Sequence, residues 1–193
     1  MQPRFRHVIF DRDGVLNAEP RDGGYVLTPA QWRWLPGVPE SLAGLSAAGI
    51  RISVATNQSC IGRGLVTRDD LDAIHAHMRD DAARAGATID HVFVCPHAPE
   101  QACHCRKPAP GLLLDALAAS GIPRRDTVLV GDDLRDLQAA SAAGIPAALV
   151  RTGKGTRTEA ALGRADVPVF DDVPAFASSL LSGSIASLES RSP

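Results

Sequence analysis

The chain has 193 residues, a formal net charge of −2, a hydrophobic fraction of 45% and an aromatic fraction of 4%. This length and composition fit a single domain, residues 1–193, and the absence of a Lys/Arg block argues against a nucleic-acid or anionic-membrane partner. No apolar run approaches the roughly 20 residues that span a bilayer, and the start lacks the apolar region of a signal peptide, so we expect a cytoplasmic protein.

The first predicted strand, residues 7–10, is a short apolar run that ends at Asp11-Arg12-Asp13-Gly14. Such a run, bounded by a turn signal, is typical of a buried strand in a parallel sheet. Asp11 and Asp13 would then lie at the carboxyl end of the strand, where open α/β sheets bind ligands. Two acids this close favour a cation between them, and oxygen ligands favour Mg²⁺. A solvated turn is the alternative, whereas a calcium loop would need its glycine at the sixth position and Gly14 is the fourth.

The next segments predict a loop, a helix and a second strand. Residues 18–36 show little periodicity and predict a long loop across the sheet edge, followed by a helix over 39–48 and a strand over 51–55. Small hydrogen-bonding side chains follow this strand: Thr56, Asn57, Gln58 and Ser59. The second strand end is therefore also a candidate part of a site.

A second predicted helix begins after Thr67, which is a typical N-cap residue, and runs to residue 85. Its apolar stripe has helical spacing and consists of Leu71, Ile74, Met78 and Ala82. His75 and His77 lie on the same helix without any accompanying ligand spacing, so we interpret both as surface or edge histidines.

The predicted strand over 92–94 leads into the most specific single motif of the chain. Four nitrogen and sulfur ligands fall within eleven residues: Cys95, His97, Cys103 and Cys105. This set is typical of structural Zn²⁺ sites with four protein ligands. His104 could replace His97, and inert thiols or a disulfide are the alternatives. We predict a zinc loop over residues 95–105 that shapes the chain without taking part in catalysis.

Helices and strands alternate in the rest of the chain. The predicted elements are a helix over 110–119, a strand over 127–130, a helix over 134–143, strands over 147–150 and 167–170, and a helix after Asp172. This alternation predicts a doubly wound, mostly parallel α/β fold of the Rossmann-like kind. The length leaves no room for a large cap domain, and the Ser-rich residues 183–193 predict a frayed tail.

Polar residues collect at four predicted strand ends, which a parallel sheet brings to one edge. They are Asp11 and Asp13, Thr56, Arg106 and Lys107, and Asp132 and Asp133. Phosphoryl transfer needs a nucleophile, a metal to neutralise phosphoryl oxygens, fixed donors and an acid for the leaving oxygen. This set offers a candidate for each role.

Four segments, in this order, resemble the haloacid dehalogenase superfamily of aspartate-nucleophile phosphatases: Asp-Arg-Asp-Gly-Val-Leu-Asn, Ala-Thr-Asn-Gln, Arg-Lys-Pro and Gly-Asp-Asp. The resemblance implies that Asp11 forms an aspartyl phosphate and that Asp13 is the general acid and base. It also implies that Mg²⁺ is held by the Asp11 carboxylate, the Asp13 backbone carbonyl and Asp132, while Thr56 and Lys107 hold the phosphoryl group. Asp133 stands where relatives often carry a lysine or another residue, so its role stays open, as does that of Asp136. A solvated helix start, where acids are favoured by the helix dipole, is the alternative for both.

Within the superfamily, Gly-Tyr-Val at 24–26, Gly-Arg-Gly at 62–64 and the cysteine insert resemble the heptose bisphosphate phosphatases, with Cys60 where a glycine is expected. We therefore expect a monomeric phosphatase that removes the 7-phosphate of a heptose 1,7-bisphosphate. Histidinol phosphate or another small phosphomonoester is the alternative substrate.

A bisphosphate requires a second anion site, and planar guanidinium groups bind phosphate oxygens in pairs. We predict that Arg63 and Arg106 form this site and that Asn57 and Gln58 orient the sugar. A zinc-dependent nucleic-acid binding module is a distant alternative, which the net charge disfavours.

Overall fold

The computed structural model describes residues 4–20, 24–163 and 167–185, and its centre is a six-stranded parallel sheet. The strands are β1 (His7–Phe10), β2 (Arg51–Asn57), β3 (His91–Cys95), β4 (Thr127–Gly131), β5 (Ala147–Val150) and β6 (Val169–Phe170). Their order in the sheet is β3-β2-β1-β4-β5-β6, so the winding direction reverses between β1 and β4. Ligands of open α/β sheets bind in the crevice at such a reversal, beyond the carboxyl ends of the strands.

Helices cover both faces of the sheet. They are α1 (Val38–Ala47), α2 (Ser59–Gly62), α3 (Arg68–Arg84), α4 (Gly111–Ser120), α5 (Leu134–Ala143), α6 (Gly155–Leu162) and α7 (Val173–Leu181). Successive side chains of a strand point to opposite faces, and β1 shows the result. Val8 and Phe10 join the core under α1, α3 and α7, whereas Ile9 joins the core under α4 and α5. The predicted doubly wound α/β fold is confirmed.

The predicted elements match the observed ones closely at most boundaries. Thr67 caps α3, and the predicted stripe on that helix is fully buried. The predictions missed α2 and α6, and they made β6 two residues too long. In the predicted tail, residues 186–193 lie outside the described residues.

Two loops between a strand and the next α-helix are longer than the rest: one follows β1 and one follows β3. Within the described ranges, neither contains a domain-sized cap, as predicted from the length of the chain. The described helices include none that is both long enough and apolar enough to cross a membrane.

Candidate active site and metal sites

The loop after β1 turns sharply at Gly14, next to Asp132 at the end of β4. Gly14 has φ +84°, and a Cβ atom there would lie 2.4 Å from Asp132 Oδ2. Gly153, at φ +56°, approaches the same oxygen from the loop after β5, and the backbone N–H of Lys154 donates to it at 2.7 Å. Only glycine fits such close approaches with positive φ. The Asp132 carboxylate is thus held between the loops after β1 and β5. The sequence analysis did not predict the hydrogen bond from the Lys154 backbone N–H.

Three carboxylates meet above the sheet. Oxygens of Asp11, Asp132 and Asp136 lie within 4.8 Å of one another. Lys107 Nζ forms ion pairs with Asp11 Oδ1 at 2.9 Å and with Asp136 Oδ1 at 2.6 Å, although the lysine side chain is only 2% exposed. Sequence reasoning left Asp136 without a role, but its spacing of four residues from Asp132 was a usable signal.

The cluster has more negative charge than the one lysine neutralises. Burial, reinforced by Asp11, raises the pKa of Asp132 to about 8. Burial also raises the pKa of Asp11 to about 6, even though the charge of Lys107 opposes the shift. A cation beside these oxygens would favour their ionised forms, and hard oxygen ligands suit Mg²⁺. Asp11 and Asp132 therefore fit a magnesium site.

Asp13 lies beside this cluster and is held by donors on both oxygens. Oδ1 accepts from Arg12 Nη2 at 3.0 Å and from Asn17 Nδ2 at 3.0 Å. Oδ2 accepts from Gln58 Nε2 at 2.7 Å, and the same amide donates to Thr56 Oγ1 at 2.8 Å. Burial opposes ionisation of Asp13, but Arg12 and the amide donors outweigh it and lower the pKa of this carboxyl.

The side chain of Asn57 connects the end of β2 to Lys107. Its Nδ2 donates to the Lys107 carbonyl at 3.0 Å, and its Oδ1 accepts from the Lys107 backbone N–H at 3.0 Å. Because Asn57 and Gln58 already bind neighbours within the site, their contact with a sugar stays a prediction. The structure does bring Thr56 and Lys107 to the same strand-end edge as Asp11, as the sequence analysis expected.

The four predicted zinc ligands form a compact cluster. Cys103 Sγ lies 3.7 Å from Cys95 Sγ and 3.6 Å from Cys105 Sγ. His97 Nδ1 lies 3.6 Å from Cys95 Sγ and 3.4 Å from Cys105 Sγ. Zn–S bonds of about 2.3 Å and Zn–N bonds of about 2.0 Å give tetrahedral ligand separations of about 3.8 Å between sulfurs and about 3.5 Å between sulfur and nitrogen. The four ligands therefore fit a tetrahedral Zn²⁺ site, with His97 rather than His104 in the set.

The two arginines predicted for a second phosphate both border the zinc loop. Arg106 Nη1 donates to the His97 carbonyl at 3.1 Å. Arg63 Nη2 lies 3.7 Å from Glu100 Oε1, and its side chain is 45% exposed. These contacts engage only part of each guanidinium group, and the role of both arginines stays a prediction.

One expectation from the sequence is wrong, and one alternative is excluded. His75 is buried, at 6% exposure, and its Nε2 lies 3.1 Å from Arg12 Nη1, so it is not a surface histidine. Asp136 is also buried, at 1% exposure, so it is not part of a solvated helix start. By contrast, Asp133 is the side-chain cap of α5 and forms an ion pair with Arg135 at 2.8 Å.

The position of Cys60 raises no backbone strain. A glycine is expected at this position, and a glycine can indicate a left-handed backbone that would strain a cysteine. Cys60 instead lies within α2, is fully buried, and has its Sγ 3.6 Å from Gln58 Oε1. The residue therefore packs beneath the amide that holds Asp13.

The chain is similar in sequence and structure to known phosphatases. A family model described as HAD-hydrolase-like matches residues 104–176. The chain is 41% identical to D-glycero-beta-D-manno-heptose-1,7-bisphosphate 7-phosphatase of Pseudomonas aeruginosa, over 90% of this chain and 97% of that protein. It is 42% identical to D-glycero-alpha-D-manno-heptose-1,7-bisphosphate 7-phosphatase of Mycobacterium tuberculosis, over 69% of this chain and 70% of that one. The crystal structure of D,D-heptose 1,7-bisphosphate phosphatase from B. bronchiseptica, complexed with magnesium and phosphate, has a TM-score of 0.87 and 39% identity, covering 93% of this chain and 99% of that one.

Proposed function

Since the chain belongs to the HAD-like hydrolases and, within them, to the family of the heptose-1,7-bisphosphate 7-phosphatases, we propose that it removes the 7-phosphate of D-glycero-D-manno-heptose 1,7-bisphosphate. The observation that supports this most directly is the contact between Asp11 and Lys107, 2.9 Å apart, beside the firmly held Asp13. The candidates for the nucleophile, the phosphoryl-binding cation and the acid thus lie at one sheet edge.

Asp11 is the nucleophile in this proposal. One of its carboxylate oxygens attacks phosphorus, the bond from phosphorus to the sugar oxygen breaks, and an aspartyl phosphate forms. Lys107 and Thr56 hold the transferring phosphoryl group through their charge and hydroxyl. Mg²⁺, held by the Asp11 carboxylate, the Asp13 carbonyl and Asp132, would neutralise charge on the phosphoryl oxygens.

Asp13 transfers the protons. Arg12 lowers the pKa of Asp13 in the free protein, and a doubly negative phosphate beside this carboxylate raises its proton affinity. The protonated group gives its proton to the leaving sugar oxygen. The resulting carboxylate then takes a proton from water, which attacks the aspartyl phosphate and regenerates Asp11.

The zinc cluster contributes to the active site by fixing the backbone that leads into it. Arg106 and Lys107 directly follow Cys105, so a Zn²⁺ ion held by Cys95, His97, Cys103 and Cys105 would fix the backbone that leads to the phosphoryl-binding lysine. We assign this ion a structural role because all four tetrahedral positions are filled by protein ligands. The monomeric state and the cytoplasmic location stay predictions.

A magnesium-dependent phosphate-release screen tests the proposed function. The panel contains both anomers of the heptose 1,7-bisphosphate, histidinol phosphate and simple hexose phosphates, and phosphorus NMR identifies the phosphate that is lost. We expect the highest kcat/KM for a heptose bisphosphate, with loss of the 7-phosphate. Equal or faster hydrolysis of histidinol phosphate would overturn the proposal in favour of the alternative substrate.

A further inference from the structure

Arg12 is a fully buried charge in the catalytic loop. Its Nη2 and Nε donate to Asp13 Oδ1 at 3.0 and 3.3 Å, and its Nη1 donates to His75 Nε2 at 3.1 Å. The guanidinium carbon also lies 5.8 Å from the centroid of the Trp32 ring. A buried guanidinium needs partners for all its nitrogens, and His75 is the partner on the side opposite Asp13.

His75 comes from a different element, the buried face of α3. Because an arginine has no acceptor, Nε2 of His75 must be the unprotonated nitrogen of the ring. Burial and the adjacent Arg12 charge lower the pKa of His75 to about 3, so the ring stays neutral near pH 7. The histidine is therefore a permanent acceptor that connects α3 to the loop after β1.

We propose that His75 is a positioning residue, which fixes the Arg12 guanidinium and thereby the orientation of the Asp13 carboxylate. This inference rests on the proposed function, in which Asp13 protonates the leaving sugar oxygen. Oδ1 of Asp13 accepts from Arg12 and Asn17, whereas Oδ2 accepts from Gln58 alone among the described residues, so Oδ2 is the oxygen that can carry the proton. Rotation of the guanidinium would turn Oδ2 away from the leaving group.

The effect of the leaving group on the rate distinguishes a positioning role of His75 from a role in core packing alone. A sugar alkoxide must be protonated as it leaves, whereas p-nitrophenolate leaves readily without a proton. Both substrates share the later hydrolysis of the aspartyl phosphate, but kcat/KM covers only the steps up to the release of the leaving group. A residue that positions the acid therefore affects kcat/KM more for sugar phosphates than for p-nitrophenyl phosphate. A residue that only stabilises the fold changes the amount of active enzyme and lowers both kcat/KM values equally.

The variants follow from the hydrogen bond. His75→Leu removes the acceptor and leaves an Arg12 N–H unsatisfied, whereas His75→Gln keeps an acceptor oxygen at this position. His77→Leu is a matched control on the same helix, since His77 is 38% exposed and pairs only with Asp81 in the described part of the chain. Thermal unfolding gives the stability of each variant, and a crystal structure gives the orientation of Asp13.

We expect His75→Leu to lower kcat/KM on the heptose bisphosphate at least about tenfold, consistent with impaired general acid catalysis. The loss in kcat/KM on p-nitrophenyl phosphate should be about twofold or less, and His75→Gln should restore most of kcat/KM on the sugar phosphate. Equal losses in kcat/KM on both substrates, no recovery in His75→Gln, or full kcat/KM in His75→Leu would overturn the inference. A wild-type enzyme inactive on the heptose bisphosphate would instead refute the proposed function, and the comparison would then use its best sugar phosphate.

Discussion

Removal of Mg²⁺ should make the stability of the protein decrease between about pH 7 and about pH 8.5, because Asp132 must then lose its proton in a buried acidic cluster. Burial and the charge of Asp11 raise the pKa of Asp132 to about 8 in the folded protein. The same carboxyl has a pKa of about 3.9 in an unfolded chain. The folded state therefore holds a proton that the unfolded state lacks at neutral pH, and this stabilisation is lost as the pH rises through the folded pKa.

The size of the effect follows from these two pKa values. For a folded pKa of about 8, the rise from about pH 7 to about pH 8.5 costs about 1 kcal/mol, or about 2–4 °C in Tm for a chain of this size. Burial lowers the pKa of His7 to about 4 and that of His75 to about 3. Above about pH 7 these two histidines add back only about 0.3 kcal/mol in total as the unfolded chain loses its last histidine protons, so a net decrease of about 1 kcal/mol remains.

The decrease in Tm with pH is measured by thermal unfolding in magnesium-free buffer. The buffer contains no strong chelator, so that zinc is retained. Added Mg²⁺ should remove the decrease, because the cation favours the ionised carboxylate. Asp132→Asn is the matched control and should lose the slope. A metal-free Tm that stays constant or rises over this range would refute the acidic cluster as described.

Three further predictions concern single side chains. Asp11→Asn should abolish phosphate release and leave the far-UV circular dichroism unchanged, because asparagine is nearly isosteric but a poor nucleophile; near-normal turnover would indicate direct attack by water. Cys105→Ser should lower the zinc content measured by elemental analysis and reduce turnover in a way that added Mg²⁺ does not rescue, since the ion holds the path into Lys107; full activity without zinc would contradict this. Arg106→Gln and, separately, Arg63→Gln should raise KM more for a bisphosphate than for a monophosphate, because each removes a charge near the second phosphate; equal effects would argue against a second anion site.

The strand ends were predictable because apolar runs in this chain stop abruptly at polar residues. Asp11, Thr56 and Asp132 each follow such a run directly, so the parallel sheet alone brings them to one edge. The zinc ligands were predictable from their close spacing, since a short loop can place all four around one ion. Short helices such as α2 and α6 have too few residues to show a helical period, and their prediction failed for that reason.

The buried charges were harder to predict because they depend on tertiary contacts. Arg12 and Lys107 are buried only because carboxylates from the catalytic loop and from α5 surround them. His75 does follow the stripe on α3, four residues after Leu71 and three before Met78, so its spacing indicated burial. A histidine at such a position can equally lie at the exposed edge of the stripe. The contact with Arg12, which lies in the loop after β1, decides that His75 is buried.

The proposed covalent step on Asp11 is tested most directly by mass spectrometry of the Asp13→Asn variant. This variant lacks both the acid for a sugar leaving group and the base for the second step. With p-nitrophenyl phosphate, whose leaving group needs no proton, the intermediate should therefore form and accumulate when Mg²⁺ is present and the reaction is quenched in acid. We predict a phosphate mass increment on the peptide that contains Asp11, and no increment in the Asp11→Asn/Asp13→Asn double variant. Continued phosphate release with Asp11 unmodified, or a phosphate mapped to another residue, would contradict the proposed mechanism.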